Sequence, residues 1–101
     1  MTKTKIKQTQ STLVLQADGT EREVPGRVSA EELRKIVGGY LDLTTCLYQG
    51  KPCMMVVNDD GHPLGLPYNR RATELYLTAC RPGTDYHIVG DVAVLLRWQL
   101  D

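Results

Sequence analysis

The tightest constraint on how this chain folds lies in residues 58–80, Asn-Asp-Asp-Gly-His-Pro-Leu-Gly-Leu-Pro-Tyr-Asn-Arg-Arg-Ala-Thr-Glu-Leu-Tyr-Leu-Thr-Ala-Cys. Asn58, Asp59, Asp60 and Gly61 all favour turns and must end whatever strand precedes them. Pro63 and Pro67 remove two backbone donors within five residues, so His62 to Tyr68 is expected to lack regular structure. Asn69 then offers an N-cap. Ala72, Leu75, Tyr76, Ala79 and Cys80 keep the i, i+3, i+4, i+7, i+8 spacing of an amphipathic helix over about 70–80. Pro82-Gly83 closes it. A rigid loop leading straight into a helix therefore separates the regular elements on either side.

Upstream, Thr12 to Gln16 reads as a strand, and Asp18-Gly19 is a strong hairpin signal before the polar return strand Thr20 to Val24. Ser29 and Glu32 form a capping box, with Val28 and Leu33 placed as a hydrophobic staple. Leu33, Ile36, Val37 and Tyr40 share one helical face, and Gly38-Gly39 stops a helix spanning about 30–37. Tyr40 to Tyr48 favours a strand through its Leu, Thr and Tyr content. Gln49-Gly50-Lys51-Pro52 is a turn, and the apolar run Cys53 to Val57 suits a central strand covered on both faces. Downstream, Tyr86 to Val89 and Asp91 to Trp98 are strand-like on either side of Gly90. The order β-β-α-β-β-α-β, with hairpin-type pairs, implies an α+β fold with a mostly antiparallel sheet and two short helices.

The chain has 101 residues, enough for one domain with a modest core. Residues 1–10 form a polar segment carrying Lys3, Lys5 and Lys7, and residues 11–101 form the α+β domain. Twelve basic residues balance twelve acidic ones, which argues against generic nucleic-acid binding, since that rests on a basic excess. Three cysteines without a CxxC motif, Cys46, Cys53 and Cys80, read as buried thiols in a reducing compartment. No apolar run reaches membrane-spanning length, and Met-Thr-Lys-Thr-Lys-Ile-Lys does not resemble a secretory signal. A cytoplasmic protein is expected.

Asn69-Arg70-Arg71 is the pattern that most invites a function. The N-terminus of a helix is electropositive and prefers acidic side chains, so two arginines in its first turn call for a negative partner. Asp59, Asp60 or Asp91 can supply it internally. Alternatively an external phosphate or carboxylate does, held by guanidinium groups and helix amides beside a loop stiffened by Pro63, Gly65 and Pro67. Gly38-Gly39-Tyr40 has a similar double reading. It is either a helix end with a packed tyrosine, or bare Gly39 backbone lining a pocket in which Tyr40 stacks on a ligand ring. His62 and His87 lack a second ligand at metal spacing, so neither a metal nor a cofactor is expected. A cysteine can be drawn with His87 and Asp91 as a small hydrolase-like site, but no pattern supports that geometry.

Four blocks give the chain a family resemblance: Ile36-Val37-Gly38-Gly39-Tyr40-Leu41-Asp42, Val57-Asn58-Asp59-Asp60-Gly61, Gly65-Leu66-Pro67-Tyr68-Asn69-Arg70-Arg71-Ala72-Thr73 and Ile88-Val89-Gly90-Asp91-Val92. With these blocks the chain resembles a family of small domains of unknown function encoded by phages, plasmids and other mobile elements of bacteria. The resemblance covers about residues 28–96 and leaves the extension Arg97 to Asp101 outside. It implies an accessory protein of the bacterial cytoplasm and carries over no catalytic residue. The residues and the resemblance together suggest a non-enzymatic protein that binds an anionic or nucleotide-like ligand, with countering host defence as its expected role, through Asn69, Arg70, Arg71, Tyr40, Tyr68 and Gly39. A homo-oligomer would suit such a pocket. The alternatives are an inhibitor or adaptor acting on a host protein, and the small enzyme.

Overall fold

The computed structural model describes residues 9–26 and 28–98. Lys3, Lys5 and Lys7, and residues 99–101 of the C-terminal extension, lie outside them. The chain runs β1 (Thr9–Leu15), β2 (Glu21–Pro25), α1 (Ala30–Val37), β3 (Leu41–Tyr48), β4 (Lys51–Asn58), α2 (Gly61–Leu64), α3 (Arg70–Leu77) and β5 (Val92–Trp98). The strands form one antiparallel sheet in the order β2-β1-β5-β4-β3. The expected α+β class and element order are present, with one additional turn of helix.

Strand alternation sends two apolar sets to opposite faces. Leu13, Leu15, Cys46, Cys53, Met55, Val92, Val94 and Leu96 pack with Ala72 and Leu75 of α3. Val56 and Ala93 pack with Leu33 and Val37 of α1 on the other face. β4 therefore has the two-sided cover expected of its apolar run, except at Met54, which is half-exposed.

α1 follows its sequence closely. The Ser29 side chain accepts a hydrogen bond from Glu32 N at 3.1 Å, and Gly38 ends the helix in the left-handed conformation at φ 82°. Val28 packs into the same cluster as Leu33, as a staple requires. Tyr40 does not share this buried face. It lies beyond the glycine stop and is 73% exposed.

Three expectations need correction. His62 to Tyr68 is not wholly irregular, because residues 61–64 make a single helical turn that includes Pro63. The amides of a first helical turn have no intrahelical acceptor, so a proline there forfeits nothing. α3 ends at Leu77 rather than Cys80: Ala79 N bonds Tyr76 O and Cys80 N bonds Leu77 O, the tightened i+3 pattern of a helix terminus. Residues 86–89 are not a strand of the sheet. Ile88 O receives Asn69 N at 2.9 Å and Gly90 N reaches Pro67 O at 2.7 Å, so this backbone is spent on the loop before α3. A single bridge, Tyr68–Val89, is all the strand character that remains.

The two sheet edges are protected differently. β2 exposes Glu21, Arg22 and Glu23, which deters pairing with another strand. β3 is poor in charge, yet Leu47 N and O both meet the Thr78 hydroxyl, at 3.3 and 3.5 Å, and Leu43 N is taken by the Asp42 carboxylate at 3.0 Å.

Candidate functional site

All four sequence blocks meet at one end of the sheet, where β1 and β4 finish and β3 and β5 begin. Asn69 is at the centre of this junction and is 1% exposed. Its Oδ1 accepts from Ala72 N at 3.0 Å, which caps α3. Its Nδ2 donates to Leu15 O at 3.0 Å and to Gly90 O at 2.8 Å, tying α3 to the end of β1 and to the turn before β5. One turn on, the Thr73 hydroxyl donates to Asn69 O at 2.8 Å and accepts from Ile88 N at 2.9 Å. Asp91 completes the set by accepting from Ala17 N at 2.9 Å. Both donor hydrogens of Asn69 are committed inside the protein, so this residue is architectural.

Asn58 does the same at the neighbouring junction. Its Nδ2 donates to Val37 O at 3.0 Å and its Oδ1 accepts from Asp60 N at 2.7 Å, joining the end of α1 to the turn after β4. This explains Gly39, where a Cβ would lie 2.9 Å from Asn58 Nδ2. Gly39 makes room for a side chain of the protein itself. Tyr40 beyond it is exposed, and Tyr40 O accepts from Asp59 N at 2.9 Å.

The arginines are paired internally, although none of the expected aspartates is the partner. Arg70 Nε lies 3.3 Å from Glu74 Oε2, and Arg71 Nε lies 3.3 Å from Glu21 Oε2 with Glu74 Oε1 at 4.0 Å from its Nη1. The carboxylates come instead from the i+4 position of α3 and from β2. Gln16, Ala17, Gly19, Asn69, Arg70, Arg71 and Glu74 line an open cleft of about 260 Å³ between the first hairpin and α3. Two arginines and one carboxylate line it, and Glu21 adds a second carboxylate through its contact with Arg71. The Arg70 side chain is 82% exposed, so its charge is displayed to solvent.

A set of rings on the α2–α3 side was not apparent from sequence. His62 and Tyr86 have centroids 5.2 Å apart, Tyr86 and Tyr76 5.6 Å, and Tyr68 and His87 5.2 Å. His62 Nε2 bonds His87 O at 2.8 Å and links the two groups. Tyr68 and Tyr86 are half-exposed, Leu64 more so, and Arg70 follows Tyr68 closely in the chain. These residues come from two loops and two helices, so no periodicity could have revealed them. The one available hint was that His62 and Tyr68 adjoin prolines and a glycine.

Among the described residues, no hydrogen bond or ion pair joins a cysteine, His87 and Asp91. His87 faces Tyr68 and Asp85, Asp91 holds Ala17 N, and Cys80 Sγ donates to Tyr76 O at 3.3 Å. No three His, Cys, Asp or Glu side chains converge among these residues. No described helix is long and apolar enough to cross a membrane.

A family model described as Domain of unknown function (DUF3846) matches residues 10–97. No curated protein matches the chain, and no solved structure does.

Proposed function

We propose that this chain, which belongs to the family described as Domain of unknown function (DUF3846), is a non-catalytic binding module that engages a host protein through the ring-rich surface beside Arg70. The observation carrying this reading is the exposure of Tyr68, Tyr86 and Leu64 at 50%, 46% and 62% around a closed core. Tyrosine and arginine are enriched at protein interfaces, where a large apolar body with a polar tip gains most from being covered. The rings are braced against one another and against His87 O, so little side-chain freedom remains to be lost on binding. The block resemblance supports the wider setting: an accessory protein of a phage or other mobile element, acting in the bacterial cytoplasm and modulating or countering a host function.

The anionic or nucleotide-like ligand is the second reading, favoured by the cleft that Arg70 and Arg71 line at the α3 N-terminus. It ranks lower because Glu21 and Glu74 already neutralise those arginines, and an incoming anion must displace or oppose both carboxylates. A pull-down from host lysate, repeated with Tyr68→Ala/Tyr86→Ala and with Arg70→Glu, separates the two readings. A protein retained by the wild type, lost with the tyrosine pair and reproduced with the purified partner supports the first. Equal recovery by all forms overturns it. Thermal-shift screening against cyclic and linear nucleotides, compared with Arg70→Ala/Arg71→Ala, tests the second, which fails if no compound stabilises the wild type.

A further inference from the structure

We propose that Cys46 and Cys53 form a redox site of their own, closing into a cross-strand disulfide when the protein meets a peroxide. The two residues are direct partners in the β3–β4 register. The bond from Asp59 N to Tyr40 O, followed along the alternation of the ladder, makes Cys46–Cys53 a hydrogen-bonded pair. Such pairs hold their Cα atoms about 5.5 Å apart, inside the window of roughly 4.4–6.8 Å that a disulfide spans. The register is held by the tight Gln49-Gly50 turn, both residues having positive φ, 54° and 80°. Both side chains point to the α3 face and join one apolar cluster. Charge on Cys53 is felt at Cys46, as expected of neighbouring sulfurs.

The chemistry balances with peroxide as the oxidant. The Cys53 thiolate, on the less enclosed of the two residues, attacks a peroxide oxygen; the O–O bond breaks and, with one proton taken up, gives a sulfenic acid and water. The Cys46 sulfur then attacks the Cys53 sulfur, the S–O bond breaks, and a second water leaves with the Cys46 proton. Two electrons pass from the sulfur pair to the peroxide. Burial pushes both thiols up, Cys46 to about 11, so the reaction is slow and calls for sustained exposure. Cys80 serves as an internal control, because its sulfur is half-buried and donates to Tyr76 O.

The experiment treats the native protein with excess hydrogen peroxide, quenches, unfolds, alkylates and weighs it. The expected result is a fall from three alkylatable thiols to one, a mass loss of about 2 Da before alkylation, and a peptide joining residues 46 and 53. Cys80→Ser should still lose both remaining thiols, whereas Cys53→Ser should show no such loss of mass. Three results overturn the proposal: an unchanged thiol count, a bridge that involves Cys80 or a second chain, or sulfinic acid at Cys46 or Cys53 with no bridge.

Discussion

Asn69 and Asn58 occupy equivalent places in two neighbouring junctions, and the difference between them shows what each junction requires. Asn58 fastens the C-terminal end of α1 to a turn with one donated and one accepted bond. Asn69 fastens the N-terminal end of α3 with one accepted and two donated bonds, and its own backbone N–H and C=O reach Ile88 and Thr73. Asn58 joins segments that the β3–β4 pairing already holds side by side. Asn69 joins three segments separated by up to 75 positions in the chain, the ends of β1, α3 and the turn before β5. The bonds from Ile88 N to Thr73 and from Ala17 N to Asp91 each join two of these segments, whereas the Asn69 side chain bonds all three.

Replacing each asparagine with alanine should therefore give unequal losses. Asn69→Ala strips a helix cap and leaves Leu15 O and Gly90 O buried without this donor, at a cost of about 3 kcal/mol. Chemical denaturation reads this as a lower midpoint with little change in slope. Asn69→Asp refines the test, since it keeps the capping oxygen but turns a carboxylate toward two carbonyl oxygens. If capping were its main role, the aspartate would be nearly neutral; the geometry predicts a loss close to that of alanine.

Asn58→Ala should cost less, about 1–2 kcal/mol, because it forfeits two bonds near the edge of the core. Its particular signature is coupling to Gly39. A methyl group at Gly39 meets Asn58 Nδ2 at 2.9 Å, so Gly39→Ala should destabilise the wild type and do markedly less harm in the Asn58→Ala background. Additive losses in the double-mutant cycle would mean that Gly39 is required for its backbone alone.

Neither asparagine side chain ionises, and pH makes that visible. Cys46 does titrate: burial first, then Cys53, raises its thiol to about 11. In the unfolded chain a thiol titrates near 8.5–9, so the folded form holds its proton longer and stability is lost as pH rises from about 9 to 11. At pH 10 this amounts to about 1 kcal/mol relative to pH 8. The wild type and both asparagine variants should share that alkaline slope in melting temperature, and Cys46→Ala should show a shallower one. A shallower slope in Asn69→Ala alone would show that its junction admits solvent to the thiols.

How much of this was legible in the sequence follows the reach of the interactions. α1, with its cap at Ser29 and its stop at Gly38, depends on residues within one or two turns, and its bounds were readable to the residue. The strand run 53–57 and the first hairpin were equally local. Residues 86–89 are strand-like in composition, yet their hydrogen bonds go to His62, Asn69 and Thr73, far from them in the chain. Asn69 itself was readable as a cap, since capping is local, but its two longer bonds were not. The arginines illustrate the same limit. Their need for negative charge follows from the helix N-terminus, yet Glu21 approaches from a strand about fifty positions away. The ring surface belongs to the tertiary structure alone.

The smallest expected effect separates the buried junction from the surface next to it. Arg70 follows Asn69 in the chain, but its side chain is 82% exposed and touches Glu74, itself 52% exposed, through one contact of 3.3 Å. Exposed pairs of this kind are worth about 0–0.5 kcal/mol and are screened by salt. Arg70→Ala should leave the denaturation midpoint almost unmoved while weakening the proposed partner contact. Asn69→Ala should instead lower stability first, and any loss of binding should track the unfolded fraction. If Arg70→Ala costs as much stability as Asn58→Ala, its charge is part of the fold and the binding surface must be sought away from α3. If it costs nothing and the partner still binds at full strength, the contact rests on Tyr68 and Tyr86 without it.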